Sequence, residues 1–246
     1  MTLSVARPVI DLLRAPDGPR DRQLLFGDEV AVVARTKGWV EVEAAKDGYR
    51  GFLPSDAVQE AARATHWVSA PATHAYEAED FKSRDRLSFS FGSQLRVQSL
   101  GERFAKTDQG YVPKAHLRAI GDHLSDPIAV AETLIGTPYL WGGNSRFGID
   151  CSGLVQVACL ACDLPCPGDS GPQERRLGTL LPDGSAYQRG DLLFWKGHVA
   201  WVRDPDTLLH ANVHAMAVAL EPISAAITRI AAQGDGPVTA HKRLLD

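Results

Sequence analysis

One element, glycine–aromatic–aliphatic–proline, occurs twice and constrains the first half of this chain more than any other feature. It appears as Gly51-Phe52-Leu53-Pro54 and again as Gly110-Tyr111-Val112-Pro113. Each copy closes a segment of the same design: GDEVAVVARTKGWVEVEAAKDGYRGFLPSDAV from Gly27, and FGSQLRVQSLGERFAKTDQGYVPKAHL from Phe91. In both, a glycine introduces an alternating strand, a turn, a second strand and then the four-residue element. Trp39-Val40-Glu41-Val42-Glu43 alternates as a half-buried antiparallel strand does. Short strands at this spacing predict two small β-barrels of roughly 60 residues each, a size that is marginal alone. They are therefore expected to pack on each other or on the rest of the chain.

The whole chain has 246 residues, with 44% hydrophobic and 23% charged residues and a formal net charge of -4. That charge gives no global field to recruit nucleic acid. No apolar run approaches the ~20 residues of a membrane span. The amino-terminal MTLSVARPVIDLLRAP is broken by Arg7 and Pro8 before it reaches the apolar length of a secretion signal. The expectation is a cytoplasmic protein with no membrane partner. Cys151, Cys159, Cys162 and Cys166 all fall in one short stretch, which is a poor framework for stapling a chain of this size, so free thiols are expected.

The pattern changes near Gly121. Ser125-Asp126-Pro127 offers a cap followed by proline in the first helical turn, predicting a short helix over 128–134. A glycine-rich loop, WGGNSRFGID, leads to a second helix predicted over 151–162. Strands are predicted over 191–195, 198–202 and 207–213. A helix followed by an antiparallel run of strands is an α+β pattern. The expected domain limits are 1–62, 63–121 and 122–246.

Cys151 stands where the glycine-rich loop enters the helix. Backbone N–H groups at a helix start lack intrahelical partners, and the helix dipole is positive there. A thiolate at that point is stabilised, so the Cys151 pKa is expected to fall from ~8.5 toward neutrality. The same N–H groups suit the oxyanion of a tetrahedral intermediate. Cys159, Cys162 and Cys166 fit better as packed thiols. Of eight histidines, His66, His74, His116 and His123 belong to or flank the barrels, and His241 lies near the carboxyl end, all expected at the surface. His198 and His210 sit on two apolar runs, HVAWV and TLLHANV, joined by Asp204-Pro205-Asp206. A hairpin about that turn brings them roughly opposite each other on one face. His198 is then the base and His210 its orienter, with His214 as a competitor for the second role.

At these residues a family resemblance becomes specific. Thr137-Pro138-Tyr139-Leu140-Trp141-Gly142-Gly143, then Gly148-Ile149-Asp150-Cys151-Ser152-Gly153-Leu154, then Arg189-Gly190-Asp191-Leu192-Leu193-Phe194-Trp195 followed by His198-Val199-Ala200, resemble the signature of the NlpC-type cell-wall cysteine peptidases. The resemblance covers 126–219. The repeated front half is similar to a tandem of bacterial SH3-like domains. The implied fold is a papain-like peptidase domain, a helix packed on an antiparallel sheet, preceded by two SH3-like barrels. The implied catalytic set is Cys151, His198 and His210, with Tyr139 at the oxyanion or beside the nucleophile; a loop aromatic packed on the core is the alternative for Tyr139.

Family members with paired SH3-like domains resemble γ-D-glutamyl-diamino-acid endopeptidases, which cleave L-Ala-γ-D-Glu-diaminopimelate peptides released from murein and need a free N-terminal L-alanine. The resemblance implies that Asp150 pairs with the substrate ammonium; a helix cap is the plainer role, and one residue can fill both. Ser152 and Ser170 are further peptide contacts, Ser170 matching the family's Asp-Ser pair although Gly168 departs from the residue common there. Tyr49 and, more weakly, Asp21 are candidates of the same kind. A cytoplasmic peptidase would meet imported fragments, which implies murein peptide recycling. No cofactor and no metal are expected, because C-x7-C-x2-C-x3-C along a single helix does not wrap a tetrahedral zinc. The alternatives are an amidase or acyltransferase on the same cysteine–histidine scaffold, and a non-catalytic wall-peptide-binding module. The oligomeric state is open.

Overall fold

The computed structural model describes residues 2–244, which form two compact units. The first comprises the chain up to His123 together with Asn144–Phe147; the second comprises Leu124–Gly143 and the chain from Gly148 onward.

The first unit is all β apart from two short 3-10 turns. Its first barrel is a seven-stranded sheet running Thr2–Val5, Val9–Leu13, Arg20–Leu25, Glu29–Thr36, Trp39–Ala44, Arg50–Pro54 and Val58–Glu60 along the chain. Trp39–Ala44 alternates in burial as its sequence alternates in polarity, and Val40, Val42 and Ala44 join Leu3, Val5, Leu12, Leu24, Val30 and Leu53 in the core. The second barrel uses five strands in one sheet and three in another around Val68, Ala75, Phe89, Leu95 and Val112. The barrels share their interior. Phe26, from the first barrel, packs edge-on to Phe89 with ring centroids 5.0 Å apart and belongs to the second core. The Gln94 N–H donates to the Phe26 carbonyl at 2.8 Å. Sharing a core in this way raises the buried fraction of two modules that would each be marginal.

The repeated element has one physical basis in both barrels. A Cβ on Gly51 would lie 2.8 Å from the Leu13 carbonyl oxygen, and one on Gly110 would lie 2.4 Å from that of Tyr76. The neighbouring strand therefore approaches too closely for any side chain. The proline that ends each copy then caps a 3-10 turn, Ser55–Ala57 or Lys114–His116.

The second unit is α+β. Helix α1 (Pro127–Glu132) starts as its sequence predicts: the Asp126 carboxylate accepts from Ile128 N–H at 2.8 Å and Ala129 N–H at 3.1 Å, with proline in the first turn. Helix α2 spans Cys151–Ala161 and is buried on nearly every side. A six-stranded sheet runs in the order 179–180, 240–243, 191–195, 198–204, 207–212 and 217–222, antiparallel throughout. Helix α2 packs across strands 198–204 and 207–212. Two helices lie outside the sequence expectation, α3 (Ser170–Arg176) and α4 (Ile223–Ala232). Helix α4 buries Ile223, Ala226 and Ile230 against Leu193, Trp195, Ala200, Val202 and Leu208 of the sheet. Its apolar residues at 223, 226, 227 and 230 carry the helical period, so the signal was present in the sequence. No helix among the described residues is long and apolar enough to cross a membrane.

Candidate active site

Asp150 anchors the entrance to α2. Its Oδ1 accepts from the Gly153 N–H at 2.6 Å and the Ser152 hydroxyl at 3.0 Å, and its Oδ2 accepts from the Gly142 N–H at 2.8 Å. The cap role is therefore filled, and the hydroxyl of Ser152 is turned to that cap. With three hydrogen bonds accepted, a carboxylate still keeps one lone-pair site of about four.

In the Gly142-Gly143 turn, Gly143 has no room for a side chain. A Cβ on Gly143 would meet the Gly148 carbonyl oxygen at 2.5 Å and the Leu140 carbonyl oxygen at 2.8 Å, both backbone atoms that cannot swing aside. Gly143→Ala is expected to cost about 2 kcal/mol or more through this overpacking. Thermal unfolding should show a clear drop in Tm, and turnover should fall with it because Gly142 and Gly143 both bond Asp150. An unchanged melt with unchanged turnover would refute this account of the turn.

Cys151 follows Asp150 as the first residue of α2 and is 7% exposed. The backbone N–H groups of Val199, Ser152 and Cys151 itself hydrogen-bond the sulfur. Val199 is the residue after His198, so the thiol meets the sheet where that imidazole begins its strand. The expected drop in the thiol pKa does not occur. Burial, followed by the charge of Asp150, pushes Cys151 up to about 12, and the three N–H donors offset only part of this. Desolvation of the sulfur outweighs the helix start. The resting form is a neutral thiol, and deprotonation needs an adjacent acceptor.

A line of polar side chains crosses three neighbouring strands of the same sheet. His198 Nε2 is 2.9 Å from His210 Nδ1, and His210 Nε2 is 3.0 Å from Glu221 Oε2. Arg229 of α4 holds Glu221 with both arms, Nε to Oε1 at 2.9 Å and Nη2 to Oε2 at 2.7 Å. The register explains the line. Trp201 pairs with Leu209, so His210 falls diagonal to His198 rather than directly opposite it. His210 pairs with Ala219 and Leu208 with Glu221, so Glu221 is diagonal to His210 in turn. Diagonal neighbours on one face are within reach of long side chains. Burial lowers the pKa of His198 to about 3 and that of His210 to about 4, so both imidazoles are neutral at rest.

Tyr139 pairs in parallel with Ile149, and its N–H donates to the Met216 carbonyl at 2.9 Å. Burial, then Cys151 and Asp150, push its phenol up to about 12, so it remains a hydrogen-bond donor beside both residues. Ser170 opens α3, which packs on α2 and strand 198–204. His214 lies in an exposed turn after strand 207–212, whereas the hydrogen bond to His198 comes from His210. Tyr49 and Asp21 belong to the first unit. There Tyr49 packs on the first barrel core beneath the Arg22 guanidinium, and Asp21 pairs with Arg14 at 2.6 Å. His241 is not a surface histidine: its Nε2 sits 2.7 Å from the buried Asp191 carboxylate, which Arg243 also holds. Cys159 and Cys166 are buried, and Cys162 is partly buried. Glu221 and Arg229 carry no motif, and only the strand register would have exposed them.

With this geometry in place, comparison with known proteins identifies the second unit. Residues 136–231 match the NlpC/P60 family. The second unit carries an NlpC/P60 cysteine peptidase domain. Residues 12–58 match the bacterial dipeptidyl-peptidase SH3 domain. A γ-D-glutamyl-L-lysine dipeptidyl-peptidase of Bacillus cereus (strain ATCC 10987 / NRS 248) is 26% identical over 238 residues, covering 83% of this chain and 71% of the relative. One of the same name from Bacillus subtilis (strain 168) is 32% identical over 195 residues, covering 70% of this chain and 63% of the relative. The crystal structure of an NlpC/P60 family protein from Bacillus cereus ATCC 10987 superposes with a TM-score of 0.83 over the full length of both chains at 22% identity, which establishes the shared fold. The NlpC/P60 domain here thus combines its α+β fold with SH3-type β modules in front.

Proposed function

We propose that this NlpC/P60 enzyme is a cell-wall peptidase that hydrolyses the γ-D-glutamyl–diamino acid bond of small murein-derived peptides with a free N-terminal L-alanine. The observation that carries the catalytic part is the buried thiol at a helix start, set against the strand that bears His198, the first of two hydrogen-bonded neutral imidazoles. The substrate class rests on the relatives named γ-D-glutamyl-L-lysine dipeptidyl-peptidase. The roles are divided over domains 1–62, 63–121 and 122–246, with the chemistry in the last.

In this mechanism His198 takes the Cys151 proton as the sulfur attacks the γ-carbonyl. The helix-start N–H groups and the Tyr139 phenol stabilise the oxyanion. The imidazolium of His198 then protonates the departing amine of the diamino acid, leaving a thioester. Water, deprotonated by the same imidazole, releases the acyl group and restores the thiol. His210 orients His198. Asp150 has one acceptor site left, and that site can receive the substrate ammonium. The low exposure of Cys151 favours small soluble fragments over cross-linked wall, in keeping with recycling.

The test is incubation with L-Ala-γ-D-Glu-diaminopimelate and its L-lysine counterpart, each with a free and an acetylated N-terminus. The expected product is L-Ala-D-Glu from the free peptides, with kcat/KM lower by about 10²-fold for the acetylated ones, the scale of a buried charge left unpaired. Equal cleavage of acetylated peptide would remove the ammonium anchor. Release of fragments from intact sacculi at a similar rate would remove the small-peptide assignment.

A further inference from the structure

Glu221 and Arg229 lie outside the sequence motifs quoted above, yet they end the line of polar groups that begins at His198. An ionised carboxylate only accepts hydrogen bonds. Arg229, first among the influences on Glu221, holds that carboxyl below its usual range, and the two-armed contact fixes the orientation of both oxygens. The proton in the 3.0 Å contact between Glu221 Oε2 and His210 Nε2 therefore belongs to the imidazole. A neutral imidazole has one N–H, so His210 Nδ1 is left as an acceptor. The proton in the 2.9 Å contact between the rings then belongs to His198 Nε2. His198 is neutral too, and its bare nitrogen must be Nδ1.

We propose that Glu221, clamped by Arg229, is a positioning residue that sets the tautomers of both imidazoles and leaves His198 Nδ1 as the unprotonated base. The proposal rests on His198 serving as the base in the peptidase reaction. Without the carboxylate, His210 is free to carry its proton on Nδ1. Its donor would then face His198 Nε2, and His198 would move its own proton to Nδ1, the nitrogen that has to be bare. Hydrogen bonds from a fixed partner decide the tautomer of a catalytic histidine, and the wrong tautomer retains the geometry while losing the rate. The groups that face His210 are the neutral imidazole of His198, the Glu221 carboxylate and, behind it, the Arg229 guanidinium. The carboxylate and guanidinium cancel, so the line carries no net charge at rest.

Two measurements test this on the full chain. First, ¹⁵N spectra of histidine-labelled wild type at pH 7.5 are expected to show His198 and His210 each protonated at Nε2 and bare at Nδ1. A proton on Nδ1 of either ring overturns the proposal, and this reading needs no substrate. Second, Glu221→Met is expected to lower kcat for L-Ala-γ-D-Glu-diaminopimelate by about 10²-fold, the scale of a disabled general base, with KM within about twofold. The same variant should show Nδ1-protonated His210. Glu221→Gln, whose amide oxygen accepts the same proton, should recover most of the rate while shifting the acid limb of kcat/KM to lower pH, because the negative charge that favours the imidazolium is gone. Full activity in Glu221→Met, or a loss of rate with unaltered tautomers, overturns the proposal. Should Glu221→Met fail to fold, the wild-type spectra decide alone. Should the peptide prove not to be a substrate, the spectra still stand, which separates failure of this inference from failure of the substrate assignment.

Discussion

Cys151→Ala is expected to keep the fold and to lower turnover by on the order of 10⁴-fold or more, the scale seen when a nucleophile is deleted from a cooperating set. The fold should survive because alanine fits the first turn of α2 and the Asp150 cap does not involve the sulfur. The stability cost of losing one buried sulfur is about 1 kcal/mol. His198→Ala should lose nearly as much activity, since a thiol held at about 12 has no other means of deprotonation at neutral pH. The informative measurement is the double variant. Residues that act as one unit are strongly non-additive, so Cys151→Ala with His198→Ala should be no worse than either alone. His210→Ala should lose less, because an orienter acts through the base. Comparable kcat in wild type and the Cys151 variant, with matched circular dichroism, would end the thiol mechanism.

Several parts of this site were legible in the sequence because they depend on local chemistry. Asp150 before Cys151 reads as a cap from residue type alone, and the structure supplies the bond to the Gly153 N–H. The alternating runs around His198 and His210 place both on neighbouring strands, and the turn at Asp204-Pro205-Asp206 places them near each other. Other parts depend on register or burial, which sequence does not specify. Glu221 reaches His210 only because strand 217–222 pairs with strand 207–212 in a register set by core packing. The electrostatics of Cys151 went the opposite way from expectation for the same reason. A helix start favours a thiolate in water-exposed sites, but the surroundings at 7% exposure remove more solvation than the N–H groups return. His241 could not be told from a surface histidine, because its partner Asp191 lies 50 residues away on the adjacent strand.

The same burial makes folding acid-sensitive in a defined window. His198 and His210 have native pKa values of about 3 and about 4, below the ~6.5 of an unfolded histidine. Between those limits the unfolded chain binds protons that the native state refuses, so stability falls as pH falls. The contribution is fully present above about pH 6.5 and declines toward pH 4, at about 1.4 kcal/mol per pH unit for each group while both stay neutral in the fold. The physical cause is burial first, with no net charge nearby to offset it. Glu221 and Arg229 already neutralise each other, so a proton on His210, itself 1% exposed, would be an uncompensated buried charge. At pH 4.5 the pair would remove several kcal/mol, a large share of the ~5–15 kcal/mol that holds a typical domain. Paired carboxylates such as Asp191 and Glu221 have lowered pKa values and act in the same direction, but only below the ~4.3 of an unfolded carboxyl. The two windows are therefore separable. Urea unfolding at pH 7.5, 6.0, 5.0 and 4.5 should show the steep decline already between 6.0 and 5.0. His210→Asn, which cannot take the proton, should flatten the slope there by about one proton per molecule. A stability that stays level down to pH 5 in wild type would mean that the native imidazoles titrate normally, and the neutral His198–His210 pair would have to be abandoned.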